Sequence, residues 1–296
     1  MPVTPCAELL SGAFATGRAL PAFNVITLEH AQAVVAAAES TGSPVVLQVS
    51  QNAVAHHGGR LAPLAAALTE LAAASPARLA LHLDHVTDRE LLRAAPAAGF
   101  GSVMFDAARL PYDENVKATA EAVRFGHAHG LLVESELGRI GGKPGEPVDA
   151  HAPGARTDPA EAAAYVAATG VDALAVAVGS THAMTRRTAE LDHDLIARLA
   201  AATGVPLVLH GSSGVPDPEL RRAVAAGMTK INIGTALNVA LTSAVRAELA
   251  LAPTAVDPRP YLAAGRTAMR EAAERLIEAL GRPGPTAAPP RSGTGR

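Results

Sequence analysis

Tryptophan is absent from this 296-residue chain, and aromatic residues make up only 3% of it. Aliphatic side chains must therefore fill its core. Cysteine occurs once, as Cys6, which excludes an internal disulfide framework and points to a reduced, cytoplasmic setting. Cys6 precedes the first strand candidate and has no neighbours that would activate a thiolate. No apolar run approaches the roughly 20 residues of a membrane helix, so no membrane span is expected. No basic segment leads into an apolar one near Met1, so no signal peptide is expected either. A formal net charge of −3 gives no general pull toward nucleic acid or an anionic membrane.

Present instead is a regular alternation. Short apolar runs over 21–26, 44–50, 79–85, 101–105, 131–136, 171–178, 206–209 and 229–233 read as strands. Helical segments are expected between them, over 29–40, 61–74, 87–98, 113–129, 158–170, 192–203 and 216–226. A helix over 5–18 precedes the first strand, one begins near Ala236, and a last one covers about 260–280. Continuous strand hydrophobicity argues for a parallel sheet covered by helices. Eight such units in about 250 residues fit a (β/α)8 TIM barrel occupying 1–281 as one domain. A doubly wound sheet is the runner-up, but no Gly-x-Gly-x-x-Gly follows the first strand. Residues 282–296, rich in Pro, Gly and Arg, read as a disordered tail. The longest interruption is the Gly-, Pro- and charge-rich loop 138–157.

In such a barrel the chemistry sits at the C-terminal strand ends. Asn24, Ser50, Asp84, His85, Asp106, Glu134, Glu136, His182, His210 and Asn232 all fall in or just after strand candidates. His85, His182 and His210 follow the third, sixth and seventh strands and would converge at one mouth, which describes a zinc site with an open position. Such a metal polarises a carbonyl and stabilises an enolate. Asp84, beside a ligand, is placed as acid or base. His56, His57, His127, His129, His151 and His193 read as surface residues. The small-residue stretches Gly211-Ser-Ser-Gly214 and Asn232-Ile-Gly-Thr235 each lie between a strand and a helix, where exposed N–H groups suit a phosphate.

PAFNV (21–25), HLDH (82–85), GFGSVMFDAARLPYDENV (99–116), VESELGRIGG (133–142), TGVDALAVAVGSTHA (169–183), LVLHGSSGVPD (207–217), KINIGTAL (230–237) and DPRPYL (257–262) together span most of the chain. With these stretches the chain resembles the class II, zinc-dependent fructose-/tagatose-bisphosphate aldolase family. The resemblance implies cleavage of a ketose 1,6-bisphosphate to dihydroxyacetone phosphate and glyceraldehyde 3-phosphate. It implies His85, His182 and His210 as zinc ligands, Asp84 as the group handling the C4 hydroxyl proton, and Asp106 and Glu136 at a second or alternate metal position. Gly211, Ser212, Ser213, Asn232, Ile233, Gly234 and Thr235 match the dihydroxyacetone phosphate site, Ser50 a serine touching that phosphate, and Asn24 and Ala183 further substrate positions. Arg259 matches a region near a subunit interface and is a candidate for the distal phosphate of a neighbouring subunit, so a homodimer or homotetramer is expected.

Three departures from the family pattern stand out. Gly234 replaces an Asp common in fructose-type members and looks more like the tagatose type. Ala183 stands where the family usually has a Gly contributing backbone to substrate or a monovalent cation. The loop after Gly142 reads Lys143-Pro-Gly-Glu146, so Glu146 is the nearest candidate for the usual catalytic glutamate. A related metal-dependent lyase using another phosphorylated aldehyde, and a metal- and phosphate-binding barrel with little turnover, are the competing readings.

Overall fold

A computed structural model describes residues 3–138 and 156–281. Strands β1 (Leu20–Asn24), β2 (Val45–Ser50), β3 (Leu79–Val86), β4 (Ser102–Phe105), β5 (Leu132–Leu137), β6 (Ala173–Val176), β7 (Leu207–Leu209) and β8 (Met228–Ile233) pair in sequence order. All pairs are parallel, and β8 pairs with β1 to close the barrel. The helices are α1 (Cys6–Thr16), α2 (Leu28–Thr41), α3 (Gln51–His56), α4 (Leu61–Ala74), α5 (Arg89–Ala94), α6 (Tyr112–Ala128), α7 (Pro159–Thr169), α8 (His193–Thr203), α9 (Asp217–Ala225), α10 (Thr235–Leu251) and α11 (Arg259–Gly281). This is the (β/α)8 barrel expected from the alternation of apolar runs and helices.

Local chemistry explains where the elements differ from expectation. The helix expected over 87–98 shrinks to α5: the Asp88 carboxylate caps it by accepting from Glu90 N at 2.8 Å, and Pro96 follows its end. The one-and-a-half-turn α3 was not expected. Ser50 ends β2 and at once caps α3, its Oγ accepting from Ala53 N at 3.1 Å. The sixth strand, expected over 171–178, is confined to Ala173–Val176. Residues 139–155, most of the loop 138–157 with Glu146 and His151, and the expected tail 282–296 lie outside the described residues.

Two apolar regions hold the barrel. The larger lies between the outward faces of the strands and the helices, and includes Phe23, Leu47, Leu81, Leu83, Val103 and Ile233. The smaller fills the lower interior: Cys6, Leu9 and Leu10 of α1 pack on Leu20, Ala22, Val46, Ala80, Ala173, Ala175 and Val208. Above this floor the inward positions turn polar, because alternate residues of a strand share a face. Gln48, His82, Glu134, Lys230 and Asn232 are all buried there.

Candidate active site

The expected alternation fails at one place on β3, and the failure builds the site. His82 pairs with Ser102 and Leu83 with Val103, but Val86 pairs with Phe105, so three residues of β3 advance against two of β4. His85 sits at the bulge with φ of 51°, in the left-handed region. In a regular strand Asp84 and His85 would point to opposite faces. With the bulge, both line one cleft of about 490 Å³ at the C-terminal mouth, within the size range of small-molecule sites.

His182 comes from the loop after β6, and His210 directly follows β7. Ser180 Oγ donates to the His210 carbonyl at 2.6 Å, which ties the two segments together. Gly211 has φ of 69°, and a Cβ on it would lie 2.4 Å from Thr181 O, so only glycine permits this close approach. The imidazoles of His85, His182 and His210 meet with ring centroids 4.7–5.5 Å apart. Together with Glu136 they offer ligand atoms within 4.8 Å of one another.

The nitrogens are oriented from behind. Asp106 Oδ2 lies 2.9 Å from His85 Nδ1, so this nitrogen donates and Nε2 keeps its lone pair. His210 Nε2 lies 3.1 Å from Glu134 Oε1 and 3.0 Å from Asn232 Nδ2; in the tautomer that donates to the carboxylate, Nδ1 keeps its lone pair. His85 Nε2 and His210 Nδ1 then face each other at 3.1 Å. Carboxylates that fix imidazole tautomers in this way are the usual support of metal-ligating histidines. Three imidazoles and one carboxylate, two of the four residues buried and two partly exposed, form a donor set that suits zinc with access from the cleft.

Beneath the cluster lies a charged belt. Lys230 Nζ donates to Glu134 Oε2 at 2.7 Å and reaches His82 Nε2 at 3.4 Å, while His82 Nδ1 meets Ser102 Oγ at 2.8 Å. Burial pushes the pKa of Glu134 up, but the Lys230 ammonium, the hydrogen bond with His210 and the facing His82 together outweigh it and hold the carboxyl at about 2. Burial, reinforced by Lys230, lowers His82 to about 3, so it is a neutral imidazole. His210 is likewise lowered, chiefly by burial.

Asp84 lies at the cleft floor. Burial favours its neutral form, but the facing imidazoles of His85 and His210 and the Lys230 ammonium outweigh burial and keep it ionised. Its Oδ2 accepts from Asn24 Nδ2 at 2.9 Å, and Asn24 Oδ1 in turn accepts from Gln48 Nε2 at 2.9 Å. Asp84 Oδ1 is buried with no hydrogen-bond partner among the described residues. A Cβ at Gly234 would come within 3.0 Å of Asn24 Oδ1, so a side chain there would press on the amide that holds Asp84.

Most residues singled out in the sequence converge here. Asn24, Ser50, Asp84, His85, Asp106, His182, Ala183, His210, Gly211, Ser212, Ser213, Asn232, Gly234 and Thr235 line the cleft. Ala183, at φ of 59°, adopts the left-handed backbone that a glycine would take there. Ser213 Oγ accepts from Ala236 N at 3.0 Å, joining the two loops expected to bind phosphate. Asp106 contacts His85 but is not one of the four clustered residues. Ile233 does not reach the cleft, because it alternates with Asn232 and packs in the outer core. Arg259 is also elsewhere, 88% exposed and bound to Asp257.

Of the histidines read as surface residues, His56, His127 and His129 are exposed. His57 is half-buried with Nε2 2.7 Å from Ile26 O, and His193 is half-buried against Glu219 at 2.8 Å. The belt residues His82 and Lys230 and the cleft residues Arg109 and Asn238 were missed as site residues. Inward pairs at i and i+2, such as His82/Asp84, Glu134/Glu136 and Lys230/Asn232, are the signal that would have found the belt.

A closed parallel barrel with its cleft at the C-terminal mouth defines an enzyme of the TIM-barrel class. The family model described as fructose-bisphosphate aldolase class-II matches residues 4–285, and the chain belongs to that family. It is therefore an aldolase, an aldehyde-lyase. It is 38% identical over 275 residues to the "Probable fructose-bisphosphate aldolase" of Bacillus subtilis (strain 168), covering 92% of this chain and 95% of that one. It is 40% identical over 266 residues to the fructose-bisphosphate aldolase of Geobacillus stearothermophilus, covering 89% and 90%. Among solved structures, the YdjI aldolase from Escherichia coli K12 superposes with a TM-score of 0.82 at 31% identity, covering 94% of this chain and 97% of that one. The family is zinc-dependent in general.

Proposed function

We propose that the protein is a zinc-dependent ketose-1,6-bisphosphate aldolase that reversibly yields dihydroxyacetone phosphate and glyceraldehyde 3-phosphate. The observation that carries this reading is the placement of Asp84 beside the His85–Glu136–His182–His210 cluster in one cleft. His85, His182 and His210 hold the metal, with Glu136 at a fourth or alternate position and Asp106 positioning His85. Bound there, zinc supplies Lewis-acid polarisation of the substrate carbonyl.

The chain's own groups do the rest. The Gly211–Ser213 and Gly234–Thr235 loops bind the phosphate of the dihydroxyacetone half, and Ser50 and Asn24 line the same cleft. In cleavage Asp84 takes the C4 hydroxyl proton, the C4–O bond becomes a carbonyl, and the C3–C4 bond breaks with its electron pair left on C3. Glu146 is the proposed donor of the proton that C3 then takes up. In condensation the same groups run in reverse. Lys230 is engaged by Glu134 beneath the cluster, which favours metal-assisted chemistry over a Schiff base on this lysine. The protein is further proposed to work as a dimer or tetramer, with Arg259 reaching a neighbouring subunit's substrate.

The test is cleavage of fructose 1,6-bisphosphate and tagatose 1,6-bisphosphate by zinc-loaded and chelator-treated protein. Turnover of at least one sugar, lost on chelation and restored by zinc, is expected. Activity that survives chelation and is trapped by borohydride would overturn the proposal.

A further inference from the structure

We propose that Arg109 is the residue through which a single chain recognises the distal phosphate ester, the one on the aldehyde half of the substrate. This rests on the aldolase reading above. Arg109 is the one lysine or arginine lining the cleft among the described residues. It stands on the turn that follows β4, closed by Leu110 N donating to Ala107 O at 2.9 Å. Asp106 Oδ1 accepts from Ala108 N at 3.2 Å in the same turn, while its Oδ2 holds His85. One carboxylate thus sets both a cluster imidazole and the backbone that carries the guanidinium.

Barrel topology places this cation at the far end of the substrate. With eight strands closed in sequence order, β4 lies diametrically across from β8. The small-residue loops proposed for the first phosphate follow β7 and β8, and Asp84, proposed for the C4 hydroxyl, lies on β3 next to β4. A chain of carbons anchored at the first phosphate and passing Asp84 therefore directs its remaining carbons toward the turn after β4. A planar guanidinium there matches a terminal phosphate with two parallel hydrogen bonds. Arg259 does not line the cleft of its own chain, where Asp257 engages it.

The test compares a ketose 1,6-bisphosphate with the corresponding ketose 1-phosphate, using zinc-loaded parent, Arg109→Met, Arg109→Lys and Arg259→Ala. For Arg109→Met, KM for the bisphosphate should rise roughly 10- to 100-fold, the loss of hydrogen bonds to a charged group. Its kinetics on the 1-phosphate and its zinc content should match the parent's, and Arg109→Lys should recover part of the loss. Equal losses on both substrates, or an unchanged KM for the bisphosphate, would overturn the proposal. So would a KM effect confined to Arg259→Ala, which would give the distal contact to a neighbouring subunit. A parent that does not distinguish the two substrates removes distal recognition while leaving the aldolase reading intact. A parent that cleaves neither removes both.

Discussion

Asp106 and His85 form a carboxylate–imidazole pair at 2.9 Å, and the nitrogen that Asp106 leaves available is the one facing His210. If Asp106 positions rather than ligates, Asp106→Ala should weaken zinc binding about 10- to 100-fold, the usual effect of removing such a support. Asp106→Asn, whose amide oxygen still accepts, should lose less. Zinc competition against a chelating dye measures both, and equal affinity in parent and Ala variant would refute the assignment.

Asp84 is expected to act on protons and not on the metal. Asp84→Ala should lower kcat by roughly 100- to 10,000-fold, with bound zinc near one per chain. Metal analysis beside steady-state kinetics decides the point. Loss of zinc in the variant would make Asp84 a ligand or a structural support.

The belt under the cluster predicts acid sensitivity. His82 falls from 6.5 to about 3 and Glu134 from 4.5 to about 2 on folding. The unfolded chain therefore binds more protons between those values, and stability, fully present above pH 6.5, is lost as pH falls through the window. The urea midpoint of metal-free protein should drop steadily between pH 7 and 4, and His82→Gln should flatten the upper part of that slope. A midpoint indifferent to pH over this range would contradict the assignment.

Glu146 is assigned from sequence alone. Glu146→Gln should abolish exchange of the dihydroxyacetone phosphate C3 proton with solvent while zinc and phosphate binding persist. Exchange at the parent's rate, followed by NMR in deuterated buffer, would shift the search to Asp149 or another group.

The barrel was legible because parallel strands covered on the outside read as apolar runs, and strand ends carry the polar residues of the mouth. Asp84 and His85 were visible as neighbours, but the means by which both face one cleft was not. A left-handed His85 leaves no mark in composition, and strand alternation argues against it. Ile233 shows the converse, since alternation correctly turns it away from the cleft although Asn232 beside it faces inward. His82 and Lys230 escaped notice as members of the site because each sits inside an apolar-looking strand. Ser102 reaches His82 through the pairing of β4 with β3, and Glu134 reaches Lys230 across the barrel only once it closes. Arg109 lies in a turn of otherwise small and apolar residues, where no local pattern separates a cleft-lining cation from a solvated one.

Helix α1 adds an insulating role to its structural one. By packing Cys6, Leu9 and Leu10 under the barrel it stoppers the end opposite the cleft. Among the described residues, the end opposite the cleft is thus filled by apolar side chains. The Lys230–Glu134 pair and neutral His82 depend on that dryness, because a wet floor would screen the ammonium and let the imidazole take up a proton near neutrality. A chain lacking α1 would keep every residue named at the mouth, yet its charges would act through a medium closer to water, with the grip on His210 loosened from below.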